Sequence, residues 1–138
     1  PYSGVLAKFT MMMLAGEEPT IYGDGEQSRD FTYITNVVNG NLIAAAAPAD
    51  KVSGGVFNVA TGQRITLNQA AAELRKITGY SGPIRYAEDR AGDVKHSLAD
   101  ISAAAGALGY KPSVSFAEGL RKTVDWYLEQ QPAAAAHR

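Results

Sequence analysis

The residue with the clearest chemistry is an arginine that follows a glycine turn. Thr20-Ile21-Tyr22 reads as a short strand, and Gly23-Asp24-Gly25 reads as a tight reversal. There glycine supplies positive φ and aspartate is the usual companion. Arg29 to Ile34 then alternates polar and apolar residues, which puts Arg29, Phe31 and Tyr33 on one face of a strand. A planar guanidinium pairs two oxygens at once and keeps its charge, so Arg29 at the mouth of a strand can grip a phosphate. The same residues also fit an exposed hairpin in which Arg29 pairs with Asp30 or a neighbouring acid.

Two further groups carry polar chemistry. Asn58 sits within the apolar run Val56–Ala60, which reads as a buried strand. A buried amide needs partners at both ends. Asn58 is therefore either a satisfied structural residue beside the Thr61-Gly62 turn or a ligand contact at the carboxyl end of a strand. Glu88 to Asp93 is a charged turn that by itself reads as a solvated loop. Lys8 lies off the apolar face of its segment and by itself reads as a solvated lysine.

The elements that position these residues are mostly helices. Ser3 to Ala15 is expected to be helical, with Val5, Leu6, Phe9, Met12 and Met13 on one face and Gly16 as the stop. The methionines read as core filling. Ile34 to Ala47 follows, with Val37, Val38, Leu42 and Ile43 expected inside and Thr35 as cap. Pro48 to Gly55 reads as a loop. Thr66 to Thr78 opens with capping-box spacing, Thr66 to Gln69, and carries Leu67, Ala70, Ala71, Leu74 and Ile77 as its stripe. Pro83 to Ala87 is a further strand candidate, and Asp100 to Leu108 a short helix ended by Gly109. Ser115 to Gln130 is the last helix, with Ser115 and Glu118 at capping-box spacing. Its stripe is Phe116, Leu120, Val124 and Tyr127, and Trp126 and Tyr127 read as packing anchors. Residues 1–130 are thus expected to form one domain, with 131–138 a disordered tail.

Composition narrows the function. The chain has 138 residues, 46% hydrophobic and 20% charged, with a net charge of −1. That is a soluble globular balance with no electrostatic reason to hold nucleic acid or a membrane surface. There are no cysteines and only two histidines, His96 and His137, so neither a thiol nucleophile nor a metal site is expected. The expected compartment is cytoplasmic. The chain begins Pro-Tyr-Ser-Gly and reads as part of something longer.

Five stretches resemble, in order, the second half of the extended short-chain dehydrogenase/reductases that act on nucleotide sugars. They are Ile21 to Ile34, Phe57-Asn58-Val59, Arg90-Ala91-Gly92-Asp93, Leu108-Gly109-Tyr110-Lys111-Pro112 and Glu118 to Tyr127. Gly92 to Ser102 is most similar to the UDP-hexose and UDP-N-acetylhexosamine 4-epimerase branch. The resemblance implies a small mixed α/β substrate-binding lobe with short strands and about five helices, plus the last pieces of a Rossmann-like sheet whose N-terminal half is absent. It implies that Arg29 and Arg90 hold a diphosphate and Asp93 a ribose hydroxyl. Asn58 would meet the ligand, Tyr22 would lie beside the base, and the segment carrying Val5 and Lys8 would line the base pocket. The implied ligand is a UDP- or dTDP-hexose, and the implied cofactor of the full-length enzyme is NAD.

Two signatures of that chemistry are absent. No Gly-x-x-Gly-x-x-Gly occurs: Gly79/Gly82 and Gly106/Gly109 have the first spacing but no third glycine. None of the seven tyrosines has lysine four positions on. No catalytic, NAD-binding or metal-binding residue is therefore expected in this chain, and by itself it should be inactive. A 4,6-dehydratase or UDP-glucuronate decarboxylase domain is an alternative, as is a non-catalytic nucleotide-binding or assembly module. Apolar surface made to pack on further chain would favour self-association.

Overall fold

The computed structural model describes residues 4–130. Ser3, the expected helix start, and the tail 131–138 lie outside the described residues. The order is α1 (Val5–Leu14), β1 (Thr20–Tyr22), β2 (Ser28–Arg29), α2 (Ile34–Ala46), α3 (Ala49–Val52), β3 (Ile65–Thr66), α4 (Leu67–Thr78), β4 (Arg85–Ala87), α5 (Ser102–Leu108) and α6 (Phe116–Gln130). This is the small mixed α/β arrangement expected. The additional helix is α3, a single turn inside the loop after Pro48. The chain divides into two compact units. One comprises the chain up to Gln27, Thr66–Asp93 and the chain from Leu120; the other comprises Ser28–Ile65 and Val94–Gly119.

In the first unit β1 and β4 run parallel, with Thr20 opposite Arg85, Ile21 opposite Tyr86 and Tyr22 opposite Ala87. Ile21 is fully buried. Helices α1 and α4 pack together. Phe9 and Met13 are buried on α1, and Leu67, Ala70, Ala71 and Leu74 on α4, where the alanines allow close approach. Of the methionine triplet only Met13 is core; Met11 is exposed. Helix α1 ends in a Schellman motif, Gly16 N–H donating to Met13 O at 3.1 Å and Glu17 N–H to Met12 O at 2.8 Å. Helix α4 opens with the expected capping box: Gln69 N–H donates to Thr66 Oγ1 at 3.1 Å, and Thr66 N–H to Gln69 Oε1 at 2.9 Å. Leu120 and Val124 of α6 are buried as expected. Trp126 is not an anchor: it is 53% exposed and meets only the edge of Tyr127 among the described ring contacts, centroids 5.1 Å apart.

The second unit corrects four expectations. The strand after the glycine turn is only Ser28–Arg29; Asp30 to Tyr33 has no ladder, so the expected strand does not run on through Phe31 and Tyr33. Phe31 instead packs its ring 5.6 Å from Phe116. Helix α2 has Tyr33 at its N-cap with no side-chain cap bond, so Thr35 is an exposed first-turn residue and not the cap. The buried face of α2 carries Asn36 and Gly40, whereas Ile34, Val38 and Leu42 are 62%, 46% and 63% exposed. A Cβ at position 40 would lie 2.7 Å from Val59 Cγ1, so glycine is what lets that segment approach. Finally, Val56 to Ala60 is not a strand and not wholly buried. Val56 is 91% exposed and only Ala60 reaches the core, beside Ala104, Tyr110 and Val114 in the same unit's buried set.

Candidate functional site

In the first unit the glycine turn is built by the start of α4. Asn68 N–H donates to Gly25 O at 3.1 Å. Its side-chain amide donates to Asp24 O at 3.0 Å and to Glu26 Oε1 at 2.6 Å. Glu26 N–H closes on Asp24 Oδ1 at 2.9 Å. Gly23 and Gly25 have φ of +85° and +78°, and the Asn68 side chain fills the place a Cβ at position 25 would need. Asn68 gives little sign of this in the sequence, because an asparagine early in a helix reads as an exposed polar residue.

This turn leaves Tyr22 at the end of β1, where it gathers positive charge. The guanidinium carbon of Arg90 lies 3.8 Å from the Tyr22 ring centroid, a cation–π contact. A hydrogen bond to Arg90 and then its charge lower the Tyr22 pKa from its ordinary value, with smaller contributions from Lys8 and Arg85. Arg85 sits two residues before Ala87, the partner of Tyr22, so both side chains stand on one face of the sheet. Arg85 was not legible as a site residue; only the register of β1 and β4 brings it here. Lys8 is exposed and Val5 half-buried on α1. Asp93 is exposed, and its N–H donates to Arg90 O at 3.2 Å across a turn in which Gly92 has φ of +84°. The structure therefore brings Tyr22, Lys8 and Arg90 into one electrostatic neighbourhood, and places Asp93 on the same turn as Arg90.

In the second unit Arg29 Nη1 donates to Ser28 O at 2.9 Å and makes a longer contact, 3.4 Å, with Lys95 O. Ser28 N–H also donates to Lys95 O, at 2.8 Å, and Ser28 Oγ lies 2.9 Å from His96 Nδ1. Arg29 is thus seated against the Lys95 to Ser97 segment. Asn58 is exposed, and its amide donates to Asp100 O at 3.2 Å. It meets neither a strand ladder nor a buried pocket, so the reading as a buried strand amide is set aside. Asp30 accepts from Thr61 N–H at 3.0 Å, from the Thr61 hydroxyl in a short bond and from Gly62 N–H at 2.8 Å. The sequence offers Asp30 only as a possible ion partner of Arg29; in the structure its partners are backbone and hydroxyl groups of Thr61 and Gly62. Tyr110 donates its hydroxyl to Ala60 O at 2.8 Å. Burial, and then the charge of Asp30, raise the Tyr110 pKa.

An aromatic ring ringed by cations suits a planar base attached to phosphates: the ring stacks and the cations neutralise. Among the described residues no group of three or more His, Cys, Asp or Glu could hold a metal ion. Nor is any helix of theirs long and apolar enough to cross a membrane. The glycine pairs with the first spacing of a dinucleotide motif do not fit NAD. Gly79 and Gly109 are left-handed C-caps, ending α4 and α5. A pyrophosphate is held at the opposite, N-terminal end of a helix, where N–H groups point outward.

Residues 2–60 match the NAD dependent epimerase/dehydratase family. The UDP-glucose 4-epimerase of Mycolicibacterium smegmatis is 33% identical over 125 residues, covering 91% of this chain and 39% of that protein. UDP-glucuronic acid decarboxylase 1 of Xenopus tropicalis is 32% identical over 126 residues, 91% of this chain and 29% of that protein. Among solved structures, a UDP-glucose 4-epimerase with UDP-glucose from Thermotoga maritima superposes with a TM-score of 0.87 at 42% identity, over 94% of this chain and 41% of that one. The chain therefore spans at most about two fifths of the length of these relatives.

Proposed function

Because the chain belongs to the NAD dependent epimerase/dehydratase family, we propose that it binds the nucleotide diphosphate of a UDP- or dTDP-hexose as the C-terminal part of a nucleotide-sugar 4-epimerase. The observation that carries this is Arg90 poised over the ring of Tyr22, with the charges of Lys8 and Arg85 reaching the same phenol. In this reading Tyr22 lies beside the base, with the first turns of α1, carrying Val5 and Lys8, around it. For the diphosphate, which carries about two negative charges, Arg90 is the candidate guanidinium of the first unit and Arg29 that of the second. Asp93 accepts from the ribose diol, and Asn58 hydrogen-bonds the ligand by exchanging its contact with Asp100 O. NAD supplies hydride chemistry to such enzymes. The residues of this chain do not fit it, so no hydride step is assigned to them and the chain by itself is expected to turn nothing over. A decarboxylase domain is the second reading, supported by the likeness to the Xenopus tropicalis enzyme. It would use the same nucleotide contacts and differ at the sugar.

Calorimetric titration of the chain with UDP, UDP-glucose and dTDP tests this. Arg90→Ala and Arg29→Ala should each weaken UDP at least about ten-fold, the scale of one charge-assisted contact. UDP binding that neither substitution alters would refute the assignment.

A further inference from the structure

We propose that Asp30 is a positioning residue whose carboxylate fastens the irregular strap Asn58–Gly62 to the end of β2, so that Arg29 and Asn58 are presented as one set. This rests on the nucleotide-sugar reading above. The strap has no ladder, yet its backbone groups require partners. Side chains supply them at two points: Ala60 O takes the Tyr110 hydroxyl, and the N–H groups of Thr61 and Gly62 converge on Asp30, while the Asn58 side chain itself donates to Asp100 O. The Asp30 anchor is the strongest, because one carboxylate accepts three bonds and the acceptor is charged. Gly62 makes the geometry possible: its φ of +70° turns consecutive N–H groups toward one anion.

The link to Arg29 is covalent. Asp30 is the next residue, so a shift of the strap reaches the arginine through one peptide unit. Both carboxylate oxygens of Asp30 are already engaged by Thr61 and Gly62. Asp30 therefore acts through Arg29 and the strap, and not by touching ligand. An amide at position 30 would keep one oxygen and turn its NH2 toward an N–H. Asp30→Asn is thus a near-isosteric break of the anchor.

The test uses the whole chain in wild-type, Asp30→Asn and Thr61→Val forms. Thr61→Val removes the hydroxyl, with its bond to Asp30 and its longer one from Gln63 N–H at 3.2 Å, leaves the carboxylate in place and guards against a variant that fails to fold. Amide hydrogen exchange at Thr61 and Gly62 reads the anchor, and calorimetry with UDP reads the positioning. In Asp30→Asn both amides should exchange at least about ten-fold faster and UDP should weaken about ten-fold. Thr61→Val should move both in the same direction by less. Asp30→Asn combined with Arg29→Ala should weaken UDP by less than the product of the two single losses, because the Arg29 contact is common to both and only that of Asn58 is left to disturb. Unchanged exchange in Asp30→Asn overturns the inference. So do faster amides with unchanged UDP affinity, and so do additive losses in the double variant. Wild-type binding of UDP with Asp30→Asn unaffected overturns this inference alone. No binding of UDP by the wild type overturns the nucleotide-sugar reading and this inference with it.

Discussion

Replacing Asn36 with leucine should be among the most damaging single changes in the second unit. Asn36 is fully buried on α2. Its amide donates to Val114 O at 2.8 Å, and its oxygen accepts from Val114 N–H at 3.0 Å and Ser113 N–H at 2.9 Å. The Ser113 hydroxyl adds a longer bond at 3.3 Å. Leucine nearly conserves volume, so the cavity contribution is small and the loss is polar. Ser113 is exposed and can turn its groups to water, but Val114 is buried and cannot. Two buried backbone groups stranded at roughly 1–3 kcal/mol each set the expected loss at about 3 kcal/mol. For a chain of this size that lowers Tm by about 10 °C. Urea unfolding followed by far-UV circular dichroism measures it. A loss below about 1 kcal/mol with an unchanged m-value would refute the claim that Asn36 alone satisfies Val114.

Gly25→Ala should cost about 1–3 kcal/mol, since it combines positive φ with a collision at Asn68; thermal unfolding of Gly25→Ala together with Asn68→Ala should recover only the steric part. The raised pKa of Tyr110 means the folded state keeps its proton where the unfolded state has lost it. Stability should therefore fall as pH rises from about 10 through the raised value, and Tyr110→Phe should flatten that fall in alkaline denaturation curves. The exposed stripe Ile34, Val38 and Leu42 should drive self-association of the isolated chain, and Val38→Lys with Leu42→Lys should reverse it. Sedimentation velocity showing a wild-type monomer at high concentration would count against this.

Local rules carried α4 from the sequence to the structure. Its capping box, stripe and C-terminal glycine each follow from neighbours a few residues apart, and all three are present. The glycine turn and the short strand β1 before it were legible for the same reason, whereas the parallel pairing of β1 with β4 was not. The span of helix α2 was legible too, but its buried face was not, because it carries two candidate stripes. Ile34, Val38 and Leu42 recur at four-residue spacing, and so do Asn36 and Gly40 on another face. Hydrophobicity favours the first. What decides is that Asn36 satisfies a distant backbone and Gly40 admits Val59, and neither fact is local. Val56 to Ala60 misled for a related reason: an apolar run reads as a strand, but here side chains from Asp30 and Tyr110 replace the ladder. Among the candidate site residues, Arg29 stands out by type and turn context, whereas Arg90 sits in a charged turn that by itself reads as solvated and is singled out only by the family resemblance. Arg85 and Asp30 come to notice only through strand register and through a contact 31 residues along the chain, across α2 and α3.

Trp126 has a practical consequence. It is the sole indole of the sequence and stands half in solvent on α6, edge-on to Tyr127. Its emission in the native protein should already be long-wavelength, so unfolding should change the colour little. A molecule that settles over that part of α6 should shift the same emission to the blue, leaving the chain with a built-in optical reporter of contact at its outer surface and a poor one of its interior.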